Sequence, residues 1–409
     1  MGIEFRRVRD DAEARAHAAV AEYAFNNEVS DAGIERRLAW YERDWCFAAF
    51  DGKELVAGLT VIPFEQYMHG ARIPLGGVAS VSALPERRRS GLAGGLLRHA
   101  LAEMRDAGQP LSALWTPHYS LYRRYGWELA SRTISYSFPP KVAKLRLPPP
   151  EGGSYRRARP GDWHLLADLH ERHAAARNGA MARPERYWRR IVLHEGASDE
   201  RFAVVWSNAR AEPRGYAVYR ARYRPGGPGP MGETVLRVAD WAALDPGAYA
   251  AIIEYLRGHD LADRIVLRAS SDEPLPAVFD EPVHLGQPPG GWSGVMLRLV
   301  DVRRALELRP ALPQASGKSL VVELTDGAAP WNAGTWRIEA SEGRISVEPS
   351  AAPAGLAMDV QALAPIWNGF TKPVDAARAG QIEVRDERAL ADATDLFAVA
   401  WSPYTPEDF

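Results

Sequence analysis

The chain has 409 residues, 46% of them hydrophobic and 25% charged, with a formal net charge of −2 at pH 7. This length exceeds one ordinary hydrophobic core, so two or three globular domains are expected. The near-neutral balance gives no indication of a nucleic-acid partner. The single cysteine, Cys46, cannot form an internal disulfide, and the charged N-terminal segment is unlike a secretory signal. No run of eighteen apolar residues occurs. A cytoplasmic protein that does not insert into a membrane is therefore predicted.

The N-terminal region is predicted to contain both helices and strands. A strand is predicted at residues 3–8 and helices at 10–25 and 31–40. Two strands, at 46–50 and 55–63, form a hairpin around the Asp51-Gly52 turn. A further turn is expected at His69-Gly70.

A strand, a basic loop and a helix follow between residues 78 and 104. The apolar strand at 78–83 precedes Pro85, three arginines and Ser90-Gly91; leucines then recur at three- and four-residue steps, which predicts a helix. A glycine-bearing loop that opens a helix exposes backbone N–H groups and a partial positive charge, and phosphate is the usual ligand there. Arginines add charge-assisted hydrogen bonds. The loop lacks the Lys-Ser/Thr ending of a Walker motif and the glycine spacing of a dinucleotide fingerprint.

The loop does fit Arg-x-x-Gly-x-Gly/Ala, as Arg88-Arg89-Ser90-Gly91-Leu92-Ala93, and is followed by a strand at 111–115 and a tyrosine-bearing turn at 120–125. In this context it resembles the acetyl-coenzyme A site of GNAT N-acetyltransferases, whereas the hexapeptide alone is equally compatible with a basic loop that caps a helix. The backbone N–H groups of residues 81–83 could polarise a thioester carbonyl. The cofactor-binding residues that the resemblance implies are Val81, Ser82, Ala83, Arg88, Arg89, Ser90, Gly91, Leu92, Ala93, Gly94, Pro117 and His118.

A Pro/Gly-rich linker at residues 147–153 ends this first domain, and Tyr155-Arg156-Arg157 then echoes Phe5-Arg6-Arg7. Helices at 163–176 and 184–192, strands at 202–206, 216–223 and 234–239, and a helix at 248–257 repeat the earlier order, which predicts an internal duplication. No arginine precedes the last of these helices, and Asp240 and Asp245 would repel a pyrophosphate. We therefore expect the second copy to bind no cofactor and to wall the substrate cleft.

The third segment has a different pattern. Strands are predicted at 295–300 and 319–326, a hairpin at 335–339 and 343–348, and helices at 302–308, 360–370 and 386–397. This α+β pattern resembles the sterol-carrier-protein fold. The whole chain is similar to the Eis (enhanced intracellular survival) family: an α/β active GNAT domain (1–145), a degenerate second GNAT domain (146–292) and a sterol-carrier-like α+β domain (293–409).

The Eis resemblance implies the catalytic residues. Tyr122 would be the general acid, because a phenol stays protonated at neutral pH; the alternative is that Tyr122 only packs its turn. The carboxylate of Phe409 would be the general base, or would orient the ammonium and pass its proton through water. A chain end ordinarily frays, but this one carries two prolines and a terminal aromatic ring, which favour docking. His118 is a rival base.

The resemblance also implies the substrate class: a primary amine of a cationic, aminoglycoside-like molecule or of a lysine. Carboxylates near the site would attract it, and the candidates are Glu22, Glu28 and Asp408. Acetyl-coenzyme A is the implied donor, and the scattered histidines predict no metal site. A homo-oligomer, with a hexamer as the further expectation, is carried over from the family. The alternative function is a ligand- or lipid-binding protein that uses the third domain, with an inactive GNAT scaffold.

Overall fold

The computed structural model describes residues 2–195, 201–226, 232–282, 285–286 and 294–409. By contacts the chain divides into two units. The first unit comprises the residues up to Ser131 together with Val295–Ala400 and Asp408–Phe409, and the second comprises Arg132–Gly294 and Trp401–Glu407. None of the described helices has the length and apolar character needed to cross a membrane.

The described residues form three sheets. Their strands are β1 (Ile3–Arg7), β2 (Cys46–Asp51), β3 (Glu54–Met68), β4 (Ala71–Ala83), β5 (Leu111–Leu114), β6 (Glu128–Leu129), β7 (Thr133–Phe138), β8 (Ser154–Ala158), β9 (Phe202–Ser207), β10 (Pro213–Arg224), β11 (Glu233–Ala243), β12 (Arg264–Ser270), β13 (Met296–Leu299), β14 (Ser319–Thr325), β15 (Gly334–Ser341), β16 (Arg344–Pro349), β17 (Leu356–Asp359) and β18 (Ile382–Val384).

The α-helices connect and cover these sheets. They are α1 (Asp11–Ala24), α2 (Asp31–Leu38), α3 (Leu92–Asp106), α4 (Tyr119–Arg123), α5 (Trp163–Ala175), α6 (Glu185–Tyr187), α7 (Pro246–Arg257), α8 (Leu275–Val278), α9 (Val302–Leu308), α10 (Val360–Trp367), α11 (Pro373–Arg378) and α12 (Glu387–Leu396).

The first sheet of unit 1 has the order β1-β2-β3-β4-β5-β13-β6. Strands β1 to β4 are antiparallel, and α3 crosses over to bring β5 parallel to β4. The leucines of α3 are buried against this sheet, as their spacing predicts. The helix lies very close to β4, because a Cβ added to Gly76 would stand 2.3 Å from the sulfur of Met104. The first sheet therefore has a tightly packed α3 on one face.

Strands β4 and β5 are paired over only three residues each, Leu75–Gly77 with Leu111–Ala113. Beyond this point β4 continues to Ala83, paired with β3 alone among the described strands. The sheet thus opens between the carboxyl ends of β4 and β5. An opening of this kind exposes backbone hydrogen-bonding groups that can bind a ligand instead of a neighbouring strand.

Two strands join sheets across the predicted domain limits. Strand β13 lies between β5 and β6 in the first sheet, and β7 pairs with β12 in the second. The limits near residues 145 and 292 therefore do not mark the edges of the sheets. All four residues of β13 are buried, and the strand predicted at residues 295–300 is present. It was predicted as part of the third segment, whereas it completes the first sheet. Side-chain pattern does not specify which sheet an isolated strand completes.

The sheet of unit 2 has the order β7-β12-β11-β10-β9-β8. Four antiparallel strands are followed by α7 and a parallel strand, which repeats the order seen from β1 to β5. This confirms the tandem fold predicted from the repeated element order. The core between sheet and helix is built from α7 and the inward side chains of the strands, including Ile252, Leu256 and Ile265.

A five-stranded sheet, β16-β15-β14-β17-β18, forms the rest of unit 1. Strand β14, the β15–β16 hairpin and helices α9, α10 and α12 follow the predicted α+β order. The short elements β17, α11 and β18 were not predicted. Arg309 is buried here, and its guanidinium donates hydrogen bonds to backbone carbonyls of Trp367, Leu396 and Ala398 at 2.8–3.1 Å. These carbonyls lie at or near the C-terminal ends of α10 and α12, so one cation satisfies groups that both helices leave unpaired.

Candidate active site

The N-terminus of α3 is open to an anionic ligand. Its N-cap residue is Gly91, with φ +86°, and in the described structure no side chain caps the helix and no acidic residue lies in its first turn. A Cβ added to Gly91 would meet no atom within 4 Å. Arg89 also has a left-handed backbone, with φ +63°. A left-handed backbone at residues 89 and 91, next to a helix N-terminus, can direct N–H groups to one side and suits an anion.

The basic residues of the loop differ in how they are engaged. Arg87 forms an ion pair with Asp51, and Arg88 donates a hydrogen bond of 3.3 Å to the carbonyl of Ala24. Arg88, Arg89 and Ser90 are exposed. These exposed groups surround the helix N-terminus and suit a pyrophosphate.

The helix positions of the motif serve packing as well. Leu92 and Gly94 are buried and Ala93 is partly buried. A Cβ on Gly94 would lie 1.9 Å from the hydroxyl oxygen of Tyr125. A glycine is therefore required where the Tyr125 ring packs against the first turn of α3.

The equivalent helix of unit 2, α7, is closed. Its N-cap residue Asp245 accepts a hydrogen bond of 2.8 Å from the N–H of Ala248 and pairs with Arg214 at 2.7 Å. The helix N-terminus is thus occupied by a carboxylate of the same chain. Asp240 was predicted to lie in the loop before this helix. It lies instead within β11, which extends to Ala243, and forms a buried ion pair with Arg183.

The backbone of β4 borders the opening between β4 and β5. Val81 and Ala83 are partly buried against the core of the first sheet, and the buried hydroxyl of Ser82 donates to the carbonyl of Gly58 at 3.4 Å. These three residues follow the paired region of β4 and β5, so they lie where the sheet has separated.

Tyr122 lies on α4, directly after β5. The residue is 8% exposed, and its ring packs edge-on against Trp127 with centroids 6.4 Å apart. Burial raises the pKa of the Tyr122 phenol to about 12, although a hydrogen bond with Thr116 opposes the shift. The phenol is therefore protonated at neutral pH. Pro117 and His118 are exposed, and the backbone N–H of His118 donates to the hydroxyl of Thr116 at 2.8 Å.

The terminal residue is docked. The ring of Phe409 lies 5.2 Å from the ring of Phe64, and a Cβ on Gly77 would stand 2.9 Å from it. Gly77 is the last residue of β4 that pairs with β5. The aromatic end of the chain therefore packs where the two strands separate, which agrees with the docking predicted from its sequence.

An open pocket of about 520 Å³ lies beside α1 and α2. The predicted substrate residues Glu22 and Glu28 both line it, together with Arg36, Arg37, Trp40 and Tyr41. Glu22 is 7% exposed, and it accepts a hydrogen bond of 2.7 Å from Nε of Arg37. The charge of Glu22 is thus compensated within the protein, whereas Glu28 is exposed to solvent. Asp408 is also exposed.

Comparisons with known proteins match the two GNAT-type sheets and the third sheet. Models described as an acetyltransferase (GNAT) domain match residues 4–130 and 179–299, and a sterol carrier protein domain model matches residues 302–406. N-acetyltransferase Eis of Mycobacterium tuberculosis is 25% identical over 335 residues, which cover 80% of this chain and 78% of that protein. The chain is an acetyltransferase with two GNAT domains and a sterol carrier protein domain, and it is similar to Eis over most of its length.

Two further relatives cover almost the whole of this acetyltransferase. An uncharacterised N-acetyltransferase of Streptomyces avermitilis is 28% identical over 93% of this chain and 94% of its own length. The crystal structure of Eis1 from Mycobacterium abscessus matches the full length of both chains with a TM-score of 0.84 at 24% identity, which shows the shared fold. GNAT acetyltransferases use acetyl-coenzyme A, and an Eis-like acetyltransferase implies an amine-bearing substrate.

Sequence reasoning missed several residues of this acetyltransferase whose side chains contact β3 and β4. Arg37 and Tyr41 contact Ser80 of β4, and His17 contacts the carbonyl of Leu59 of β3. The adjacent aromatic residues Trp40 and Tyr41, which follow α2, indicate a pocket wall in the sequence. The contacts of Arg37 and His17 are long-range in sequence, so no local pattern could indicate them.

Proposed function

We propose that this enzyme transfers an acetyl group from acetyl-coenzyme A to a primary amine at the first GNAT domain. The observation that carries the proposal is the uncapped, left-handed start of α3 beside the opening of β4 and β5. The second copy provides an internal comparison, because Asp245 closes the corresponding helix there. Of the two corresponding helices, α3 and α7, it is therefore α3 whose N-terminus can bind the phosphate groups of a cosubstrate.

The loop residues fit the pyrophosphate of the cosubstrate. The N–H groups at residues 90–94 and the side chains of Arg88 and Arg89 would hold its charge, while Pro117 and His118 would line the path of the rest of the molecule. When bound, acetyl-coenzyme A supplies the thioester whose carbonyl carbon accepts the amine. The N–H groups of Val81–Ala83 would donate to the carbonyl oxygen as negative charge develops on it.

Tyr122 would donate its phenolic proton to the departing sulfur as the carbon–sulfur bond breaks. Its raised pKa keeps the proton available throughout the neutral range. The carboxylate of Phe409 would accept the proton that the amine loses, directly or through water. The ring of Phe409 is held by Phe64 and Gly77, which fixes the terminus against β4.

The acceptor is proposed to be the amine of a cationic small molecule, aminoglycoside-like, or of a lysine. Glu28 and Asp408 are exposed carboxylates of unit 1 that would attract it, and Glu22 would contribute mainly through its hydrogen bond with Arg37. A cytoplasmic homo-oligomer, with a hexamer as the specific expectation, completes the proposal. Ligand or lipid binding through the third domain stays a separate prediction.

The proposal is tested by release of the coenzyme A thiol with a panel of primary amines. Wild-type protein should release thiol only when an amine is present, with one acetylated product per thiol. Tyr122→Phe should lower kcat by roughly 10²–10⁴-fold, the usual contribution of general acid catalysis. Tyr119→Phe, on the same short helix, is the matched control and should keep wild-type turnover. Near-normal turnover of Tyr122→Phe would remove Tyr122 as the acid.

A further inference from the structure

Ser80 has an unusual backbone conformation within β4. Its φ is +52°, a left-handed value that non-glycine residues rarely adopt in a strand. It lies in a bulge of the β3–β4 ladder: Gly58 pairs with Ser82 and Thr60 with Ala79, so Ser80 and Val81 stand opposite Leu59 alone. A bulge of this kind shifts the alternation of the strand and redirects the groups that follow.

Side chains from α2 and its C-terminal flank hold the hydroxyl of Ser80. One terminal nitrogen of Arg37 donates to Oγ of Ser80 at 2.9 Å, and that hydroxyl lies 3.2 Å from the phenol of Tyr41. Nε of the same guanidinium donates to Glu22 at 2.7 Å. The side chains of Arg37 and Glu22 are only 16% and 10% exposed. Arg37 therefore connects α1, α2 and the bulge through one largely buried group.

The opposite strand of the bulge is held from α1. Nε2 of His17 lies 3.1 Å from the carbonyl oxygen of Leu59, the residue that faces the bulge. Burial lowers the pKa of His17 to about 4, so its ring is neutral and its Nε2–H must be the donor to the carbonyl. His17 also packs against Gly58, where an added Cβ would lie 2.5 Å from the ring. Both strands of the bulge are thus fixed by side chains from the helical layer.

We propose that Arg37 is a positioning residue for acetyl transfer, which through Ser80 fixes the bulge of β4 and with it the direction of the backbone amides of Val81–Ala83. This inference rests on the proposed function, in which those amides donate to the thioester oxygen. Hydrogen-bond donors that already point at the reacting oxygen stabilise its developing charge without having to reorient. A small change in their direction therefore lowers the rate of the chemical step. The affinity for the cosubstrate depends instead on the loop at α3.

The test compares Arg37→Gln, Ser80→Ala and the double variant by thiol release and by equilibrium binding of coenzyme A. Each single variant should lower kcat about tenfold, as for one lost charged hydrogen bond, with coenzyme A affinity within about twofold of wild type. The kcat of the double variant should be no lower than that of the slower single variant, because both changes break the same contact between Arg37 and Ser80. Multiplied effects in the double variant, or an unchanged kcat in the singles, would overturn the inference.

Two further variants separate positioning from folding. Arg37→Lys keeps a cation for Glu22 but lacks the second nitrogen that reaches Ser80. Its kcat should therefore stay low, while its midpoint temperature of thermal unfolding should return toward the wild-type value. Arg15→Gln removes other ion pairs between α1 and α2, with Asp31 and Glu35, and should leave kcat unchanged. Full activity of Arg37→Lys would assign the effect to the pair with Glu22. A wild-type protein that releases no thiol with any amine would refute the proposed function and the positioning role together.

Discussion

Replacement of Arg183 by methionine should destabilise the second unit by about 3–5 kcal/mol, the cost of removing one partner from a buried ion pair. The guanidinium of Arg183 is 2% exposed and binds two carboxylates: Nε donates to Glu407 at 2.8 Å, and the terminal nitrogens donate to Asp240 at 2.7 and 3.1 Å. Glu407 is fully buried and Asp240 is 8% exposed. Methionine would remove the cation that pairs with both carboxylates.

In the wild type, the neighbouring groups donate hydrogen bonds to the two carboxylates but do not neutralise their charge. Tyr216 donates to Asp240 at 2.6 Å, and the N–H of Met181 donates to Glu407 at 3.1 Å. His170 lies 3.6 Å from Glu407, but burial lowers its pKa to about 3 in the wild type, with Arg183 adding to the shift, so it is neutral. Neutral donors reduce the cost of an unpaired carboxylate without removing it.

The loss should also depend on pH. Burial raises the pKa of Glu407 above its usual value despite Arg183. For Asp240, burial is outweighed by the charge of Arg183 together with the hydrogen bonds from Arg183 and Tyr216, so the pKa lies below its usual value. Without Arg183 both pKa values should lie above those of the unfolded chain. Stability is then lost as the pH rises through them, so the gap between variant and wild type should widen from pH 5 to pH 7.

Hydrogen exchange of the peptides that contain residues 178–184 and 401–407 is the suitable assay, because a chain with two units need not unfold in one transition. The triple variant Arg183→Met, Asp240→Asn, Glu407→Gln removes every charge and should recover at least about half of the loss. Arg189→Met removes exposed ion pairs with Glu185 and Glu195 and should have no measurable effect. A loss below about 1 kcal/mol for Arg183→Met, or one independent of pH, would refute the reasoning.

Three other outcomes follow from the same geometry. Arg89→Ala should weaken coenzyme A binding by at most about 3 kcal/mol in a calorimetric titration, whereas Arg105→Ala at the far end of α3 should not; equal affinities for both would move the anion site elsewhere. Asp245→Ala should destabilise the second unit by about 1 kcal/mol through loss of the α7 cap, whereas Asp245→Asn should keep most of this stability. An equal loss of stability in both variants would assign the effect to the ion pair with Arg214 instead. The kcat of the wild type should show no falling limb from Tyr122 between pH 7 and 10, because its pKa is about 12; a limb in that range that disappears in Tyr122→Phe would contradict this.

The sequence predicted the long, strongly patterned elements well. The apolar spacing of α3, the paired strands β2 and β3, and the element order that repeats after residue 154 all appear in the structure. These features depend on local periodicity, which the sequence displays directly. The short strands β17 and β18 carry too few residues to show a period, and the membership of β7 and β13 in their sheets depends on contacts far along the chain.

The candidate site was predictable where it depends on a contiguous motif. The glycine and arginines before α3 were identified from their motif, and Tyr122 and the aromatic terminus from the family resemblance. The ion pair that neutralises Glu22 was not, because Arg37 lies on another helix. The left-handed backbone conformation of Ser80 was also not predictable, because a serine in an apolar strand gives no indication of a positive φ.

A chain extended by a short Gly-Ser segment after Phe409 tests the central claim most directly. The extension converts the terminal carboxylate into a peptide bond while leaving the α3 loop unchanged. Coenzyme A affinity should stay within about twofold of wild type while amine-dependent thiol release falls by at least about 10²-fold, the lower bound for a lost general base. Wild-type turnover by the extended chain would contradict the role of the terminal carboxylate, and lost coenzyme A binding would contradict its separation from the loop.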